Sequence, residues 1–213
     1  MLLERLFKRE TEKDHFLYAK KADELSIIQS AGMNIVILER NVNDDLKTSV
    51  QSITDSSFES ISISARVGVD ARTMIREEME KTCTNCIPLL DDMMIWFRLF
   101  ASISRSNRIQ LHLKLVNDDG CTRFHVDRYA LRLLCTYSGP GTEWTYDNNV
   151  NRAHLGSGDK DKIIYDWDKI NRLQAMDVAI LKGEVETDVK GIVHRSPPLR
   201  QEGEKRLVFR LDY

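Results

Sequence analysis

Apolar and polar residues repeat with two different periods along this chain, and the change falls near residue 107. In the first part, spacings of three and four predominate. Asp23 to Ser30 and Asp44 to Ile53 predict short helices, the second with Asn43 or Asp44 as its cap. Asp70 to Lys81 is charged and helix-favouring. From Pro88 to Ser104, Leu89, Met93, Trp96, Phe97, Phe100 and Ile103 form one apolar helical face, and Pro88 suits a first turn. Such a stripe of Met and aromatic side chains predicts core packing. Two strands interrupt the helices: the apolar run Ile35 to Leu38, and Ile61 to Val67, where Ile61, Ile63, Ala65 and Val67 alternate with polar partners.

Beyond Arg108 the period becomes two. Leu111, Leu113 and Leu115 alternate with Gln110, His112 and Lys114, and Asn117-Asp118-Asp119-Gly120 signals a turn. Cys121 to Asp127 and Leu131 to Tyr137 follow as strands, the latter ended by Ser138-Gly139-Pro140-Gly141. Val178 to Leu181, Gly191 to His194 and Arg206 to Asp212 complete the set. Short strands separated by Gly, Pro, Asn and Asp predict a barrel or jelly roll. The expected architecture is α+β: a barrel over 108–213, with 1–107 as a helical and mixed extension packed around it.

Composition narrows the function classes. The 213 residues are 42% hydrophobic, enough for a sizeable core. Lys plus Arg number 31 and Asp plus Glu 33, so no global basic surface points to nucleic acid. The start, MLLERLFKRETEKDHF, lacks an uninterrupted apolar segment and a small-residue cleavage site. No apolar run approaches the roughly 20 residues that cross a bilayer. A cytoplasmic protein acting on a small-molecule or protein substrate, without membrane attachment, is expected; a homo-oligomer is compatible with this.

The chemistry concentrates in His125-Val126-Asp127. On a strand, residues two apart share a face, so imidazole and carboxylate project together. His194, in GIVHRSPP, ends a short apolar strand and supplies a third donor. Two histidines and one carboxylate form a facial triad that leaves positions open on a non-haem Fe(II). His15, His112 and His154 fit less well: a charged stretch, a mid-strand position without a carboxylate partner, and a loop. The final strand, RLVFRLD, places Arg206, Val208 and Arg210 on one face and Leu207, Phe209 and Leu211 on the other. Two cations turned toward a cavity call for an anion, because a buried guanidinium is costly unless paired. On an edge strand, the same arginines would face solvent with Asp212 beside them.

The order HxD, distal His, then Arg on the last strand resembles the Fe(II)/2-oxoglutarate-dependent dioxygenase superfamily, and the paired arginines resemble its taurine-dioxygenase-like branch. The resemblance implies a double-stranded β-helix (jelly-roll, cupin-like) core, with Fe(II) held by His125, Asp127 and His194 as the catalytic centre. It implies 2-oxoglutarate as co-substrate and O2 as oxidant, with succinate and CO2 as co-products. It assigns Arg210 to the distal carboxylate of 2-oxoglutarate, Arg206 to the inner end, and Tyr137 as a phenolic donor. Two positions depart from the superfamily pattern: Met176-Asp177 replaces the usual Gly-Asp, and Asp212 stands where a small hydroxyl residue is common. The strings FHVDRYALRLLCTYSGPGTEWT, DVAILKGE, VHRSPP and RLVFRLD resemble a bacterial family of unknown function.

Remaining candidates are weaker. Cys83-Thr84-Asn85-Cys86 has the spacing of half a zinc site or a redox pair, or is simply two reduced cysteines near a helix start. Trp144 and Tyr146, after the glycine-rich loop, could line a substrate pocket or cover the core. Arg195 is expected at the surface. A non-oxygenase, cupin-like protein binding zinc or iron for metal homeostasis is the alternative function.

Overall fold

The computed structural model describes residues 15–67, 71–118, 121–156, 158–185, 190–199 and 203–213. Among the described residues ten strands form two sheets. The larger contains β1 (Phe16–Ala19), β2 (Ile35–Leu38), β3 (Ser60–Arg66), β4 (Arg108–Val116), β5 (Leu131–Ser138), β8 (Val178–Lys182) and β10 (Arg206–Asp212), in the order β1-β2-β8-β5-β10-β4-β3. The smaller contains β6 (Glu143–Thr145), β7 (Ile170–Arg172) and β9 (Val193–Arg195), in the order β7-β6-β9. Among these described strands, β1 and β2 pair in parallel and the other pairs are antiparallel. Among the described residues the strands make two facing sheets rather than one closed ring.

Residue 107 therefore marks no boundary in the core. Three strands from the N-terminal part lie within the large sheet itself: β3 pairs with β4, and β2 with β8. The helices of that part cover one face of the sheet. They are α1 (Asp44–Thr54), α2 (Ala71–Glu80) and α3 (Ile87–Ser104), with a 3-10 segment at Ala22–Gln29. Asn43 caps α1, its side-chain oxygen accepting from Leu46 N at 2.9 Å. The apolar stripe of α3 is buried as its spacing predicts, and packs with Leu133, Leu207, Phe209 and Leu211.

The other face of the large sheet meets the small sheet. Ile35, Ile37, Leu134, Ala179 and Leu181 pack there against Trp144, Leu173 and Ile192. A third cluster, Phe124, Val150, Ile163, Ile164 and Val193, backs the small sheet from outside. The small sheet covers the β2-β8-β5 side and leaves the β10-β4-β3 side more open. A cavity of about 380 Å³ lies in the gap.

One departure from the superfamily pattern has a backbone correlate. Met176, where glycine is usual, adopts φ +75, a left-handed conformation that glycine enters without the Cβ penalty. Its amide and carbonyl are both held, by Thr136 O at 2.8 Å and by Arg40 Nε at 2.7 Å.

Candidate metal centre

Residues 121–127 do not form the regular strand their pattern predicts. Only His125 pairs, in an antiparallel bridge to His194, with both N–H···O bonds at 3.0 Å. The alternation nonetheless survives. Phe124 and Val126 enter the outer apolar cluster, which turns His125 and Asp127 the opposite way. Glu184 N donates to Asp127 O at 2.8 Å and fixes the far end of the segment. The apolar residues Phe124 and Val126 thus aim His125 and Asp127.

His125, Asp127 and His194 each bring a ligand atom within 4.8 Å of the others, and this is the metal-capable cluster among the described residues. Asp127 Oδ1 lies 3.8 Å from His125 Nε2, and Oδ2 lies 3.3 Å from His194 Nε2. Each imidazole is oriented from behind: His125 Nδ1 faces Arg123 O at 2.9 Å, and His194 Nδ1 faces Ile192 O at 3.2 Å. A carbonyl only accepts, so each neutral ring carries its proton on Nδ1 and turns a bare Nε2 lone pair inward. Burial drives the His194 pKa down to about 4, with His125 and Arg132 also lowering it against the opposing pull of Asp127, so the ring is neutral at neutral pH. Asp127 Oδ2 is buried and receives no aligned hydrogen bond. The two imidazoles and the carboxylate thus face one point, where a cation would be shared by all three. Two imidazoles and one carboxylate suit a first-row divalent ion with open positions.

Arg132 lies behind the carboxylate. Its Nη1 sits 2.6 Å from Asp127 Oδ2 and its Nε 2.5 Å from Asp212 Oδ1. Asp212 is fully buried and also lies 2.9 Å from Arg210 Nε. Neither Arg210 Nε nor Asp212 Oδ2 has a well-aligned hydrogen bond, so this contact is an ion pair first. Sequence reasoning names Asp212 as a departure and as a surface neighbour of the two arginines, and passes over Arg132. A charged residue inside the apolar run Leu131-Arg132-Leu133-Leu134 was the available signal.

The two arginines of β10 do share the cavity face, while Leu207, Phe209 and Leu211 pack under the helices. Their circumstances differ. Arg210 is partly exposed and already near Asp212. Arg206 is only 2% exposed and has no carboxylate in ion-pair range among the described residues. Its Nε donates to Pro140 O at 2.6 Å, and its Nη2 lies 3.4 Å from Thr142 Oγ1 and 3.5 Å from Thr136 Oγ1. Burial and the charge of Arg172 lower its pKa to about 10, only partly offset by Glu143. Glu143 itself is bound by Arg172 and Arg195. The turn that holds Arg206 needs Gly139, at φ +81, where a Cβ would collide with the Lys205 carbonyl and the Arg206 backbone.

Several expected site residues lie elsewhere. Tyr137 is on the helix face of β5, its hydroxyl donating to Asp92 Oδ2 at 2.7 Å; Arg132, Leu134 and Thr136 take the cavity face instead. Trp144 is buried between the sheets, and Tyr146 packs beside it against Phe16 and His15, so both belong to the core and not to the cavity lining. Cys83 and Cys86 are buried free thiols at the start of α3, with no cluster of metal-ligating groups around them among the described residues. Arg195, expected at the surface, is half-buried: it donates to Glu143 at 2.7 Å, stacks over Phe124 and Trp167, and lines the cavity. No described helix is long and apolar enough to cross a membrane.

Among solved structures, apo HygX from Streptomyces hygroscopicus shares the fold, at 11% identity and a TM-score of 0.50 over 91% of this chain and 87% of that one. A Pseudomonas putida prolyl-4-hydroxylase is 9% identical at a TM-score of 0.47, over 90% and 96%. A full-length Neurospora crassa protein in complex with alpha-KG and 5-formyluracil is 12% identical at 0.44, over 90% and 77%. No curated protein matches the chain by sequence. A family model matches residues 19–212, from β1 to the end of β10 and across every residue of the site above, and the chain therefore belongs to DUF1826, a protein family of unknown function.

Proposed function

We propose that this protein is an Fe(II)- and 2-oxoglutarate-dependent oxygenase on a double-stranded β-helix core. His125, Asp127 and His194 would hold the metal. When bound, the iron supplies the redox chemistry that couples O2 and 2-oxoglutarate to oxidation of a substrate. The chain's own part is to hold three donors in place, exclude water and orient the co-substrate. The observation that carries the reading is Arg206: a buried guanidinium without a carboxylate, lining the same cavity as two of the triad residues. A dicarboxylate co-substrate supplies the missing anion, with Thr136 and Thr142 as neighbouring hydroxyls. This reverses the assignment drawn from resemblance. Arg206 takes the distal carboxylate, because Asp212 already balances Arg210.

The test is anaerobic addition of 2-oxoglutarate to the Fe(II)-loaded protein, read as a metal-to-ligand charge-transfer band. The band is expected in the wild type and absent in Asp127→Ala, in which metal binding itself should fail. Tight metal binding with no band at millimolar 2-oxoglutarate would replace this reading with that of a metal-binding protein lacking oxygenase chemistry.

A further inference from the structure

The cavity extends away from the triad onto a part of the large sheet that the small sheet leaves uncovered. The register places two rows of side chains there on one face: Ser60, Lys114 and Val208, then Ser62, His112 and Arg210. Ser62 Oγ and His112 Nδ1 are 2.9 Å apart. Lys114 is exposed and has no hydrogen bond or ion pair to any described residue. Arg210 Nε lies 2.9 Å from Asp212 Oδ2, and its two terminal nitrogens make no hydrogen bond to any described residue.

The charge balance of the lining is one-sided. Among the described residues it includes Lys114, Arg132, Arg195, Arg206 and Arg210 and no carboxylate. Arg132 is committed to Asp127 and Asp212, and Arg195 to Glu143. Arg206 is the deep cation. Lys114 and the outer end of Arg210 remain, near each other on neighbouring strands and flanked by two hydroxyls and an imidazole. A lining of this sort concentrates field on small anions and disfavours cations. About 380 Å³ is small for a ligand site, near the low end of the usual range of about 300–1,000 Å³.

We infer that the β3-β4 platform of Ser60, Ser62, His112 and Lys114, with Arg210, is the subsite for the primary substrate, a small organic anion carrying a carboxylate or phosphate group. Calling it a substrate subsite rests on the oxygenase reading; the anion preference does not. The test is ligand-observed NMR with the Zn(II)-loaded protein. The probes are three sets of small compounds matched in size and differing in charge: carboxylates and phosphates, neutral alcohols and amides, and amines. Saturating 2-oxoglutarate is present to fill the deep cation. The carboxylates and phosphates should bind preferentially. Lys114→Gln, a change at an exposed side chain, should weaken them about tenfold, as expected for loss of one charge-assisted contact. Arg206→Gln, run without 2-oxoglutarate, should leave them in place. Equal binding of all three sets, or anion binding indifferent to Lys114→Gln, overturns the inference. Lys114-dependent anion binding in a protein that fails to bind 2-oxoglutarate upholds the anion site and removes the oxygenase reading instead. Whether carboxylates or phosphates bind more tightly identifies the source of the charge.

Discussion

Two guanidinium groups lie on opposite faces of the large sheet and are held in opposite ways. Arg40, on the helix side, meets Asp92 through two nitrogens at 2.6 and 2.8 Å, and its Nε donates to Met176 O. Trp96 and Tyr137 donate to the same carboxylate, and the cation lies over the Trp96 ring. Burial pulls its pKa down, but Asp92 more than restores it, to well above the ordinary value. Arg206, on the cavity side, has one carbonyl, two distant hydroxyls and no anion, and its pKa falls to about 10. Both guanidiniums are largely enclosed, Arg206 the more so, yet they shift in opposite directions, and the main difference is the partner. A charge neutralised by its own chain is structural; a charge left for a ligand is a binding device.

The largest expected effect strikes the first of these groups. Asp92→Ala leaves Arg40 charged and orphans the Trp96 and Tyr137 donors, so urea denaturation should show a loss of about 3–5 kcal/mol. Arg206→Gln should instead leave stability within about 1 kcal/mol of the wild type, because it removes a buried charge that had no counter-ion. If both variants are equally destabilised, the distinction between the two arginines fails.

A smaller effect than that of Asp92→Ala concerns Tyr137. Resemblance assigns it to the co-substrate, but its hydroxyl is one of several donors to Asp92. Tyr137→Phe should cost about 0.5–1.5 kcal/mol in the same denaturation assay, the usual net value of one hydrogen bond. Its 2-oxoglutarate affinity should be unchanged; a weakened affinity would return Tyr137 to the cavity.

The side of the sheet that Tyr137 takes is hidden in the sequence for a physical reason. On β10 one face is aliphatic and the other charged, so parity alone tells which residues meet the cavity, and it does so correctly. On β5 both faces are buried, so the string Leu131-Arg132-Leu133-Leu134-Cys135-Thr136-Tyr137 carries no decisive alternation. That His125, Asp127 and His194 come together was legible from the HxD spacing and the distal His, even though residues 121–127 form one bridge and not a strand. The small sheet was only partly legible: β6 and β7, at three residues each, are too short to show a period, and in the large sheet β1, at four, is scarcely better. Nor could composition show that the N-terminal part enters the core sheet, since strand partners distant in sequence leave no local mark. The sequence sets Asp212 beside the arginines only on a solvent-facing strand; the fold buries it against Arg210 and Arg132.

The central claim is that Arg206, and not Arg210, is the cation reserved for 2-oxoglutarate. The direct measurement is the dissociation constant of 2-oxoglutarate for the Fe(II) protein under argon, in the wild type, Arg206→Gln and Arg210→Gln, with metal content checked in each. Arg206→Gln should weaken binding by about 2–5 kcal/mol, as when one member of a buried charge pair is removed, with metal retained. Arg210→Gln should weaken it by about 1 kcal/mol or less, since Asp212 already meets that charge. The reverse order, or equal affinities in all three proteins, would contradict the account.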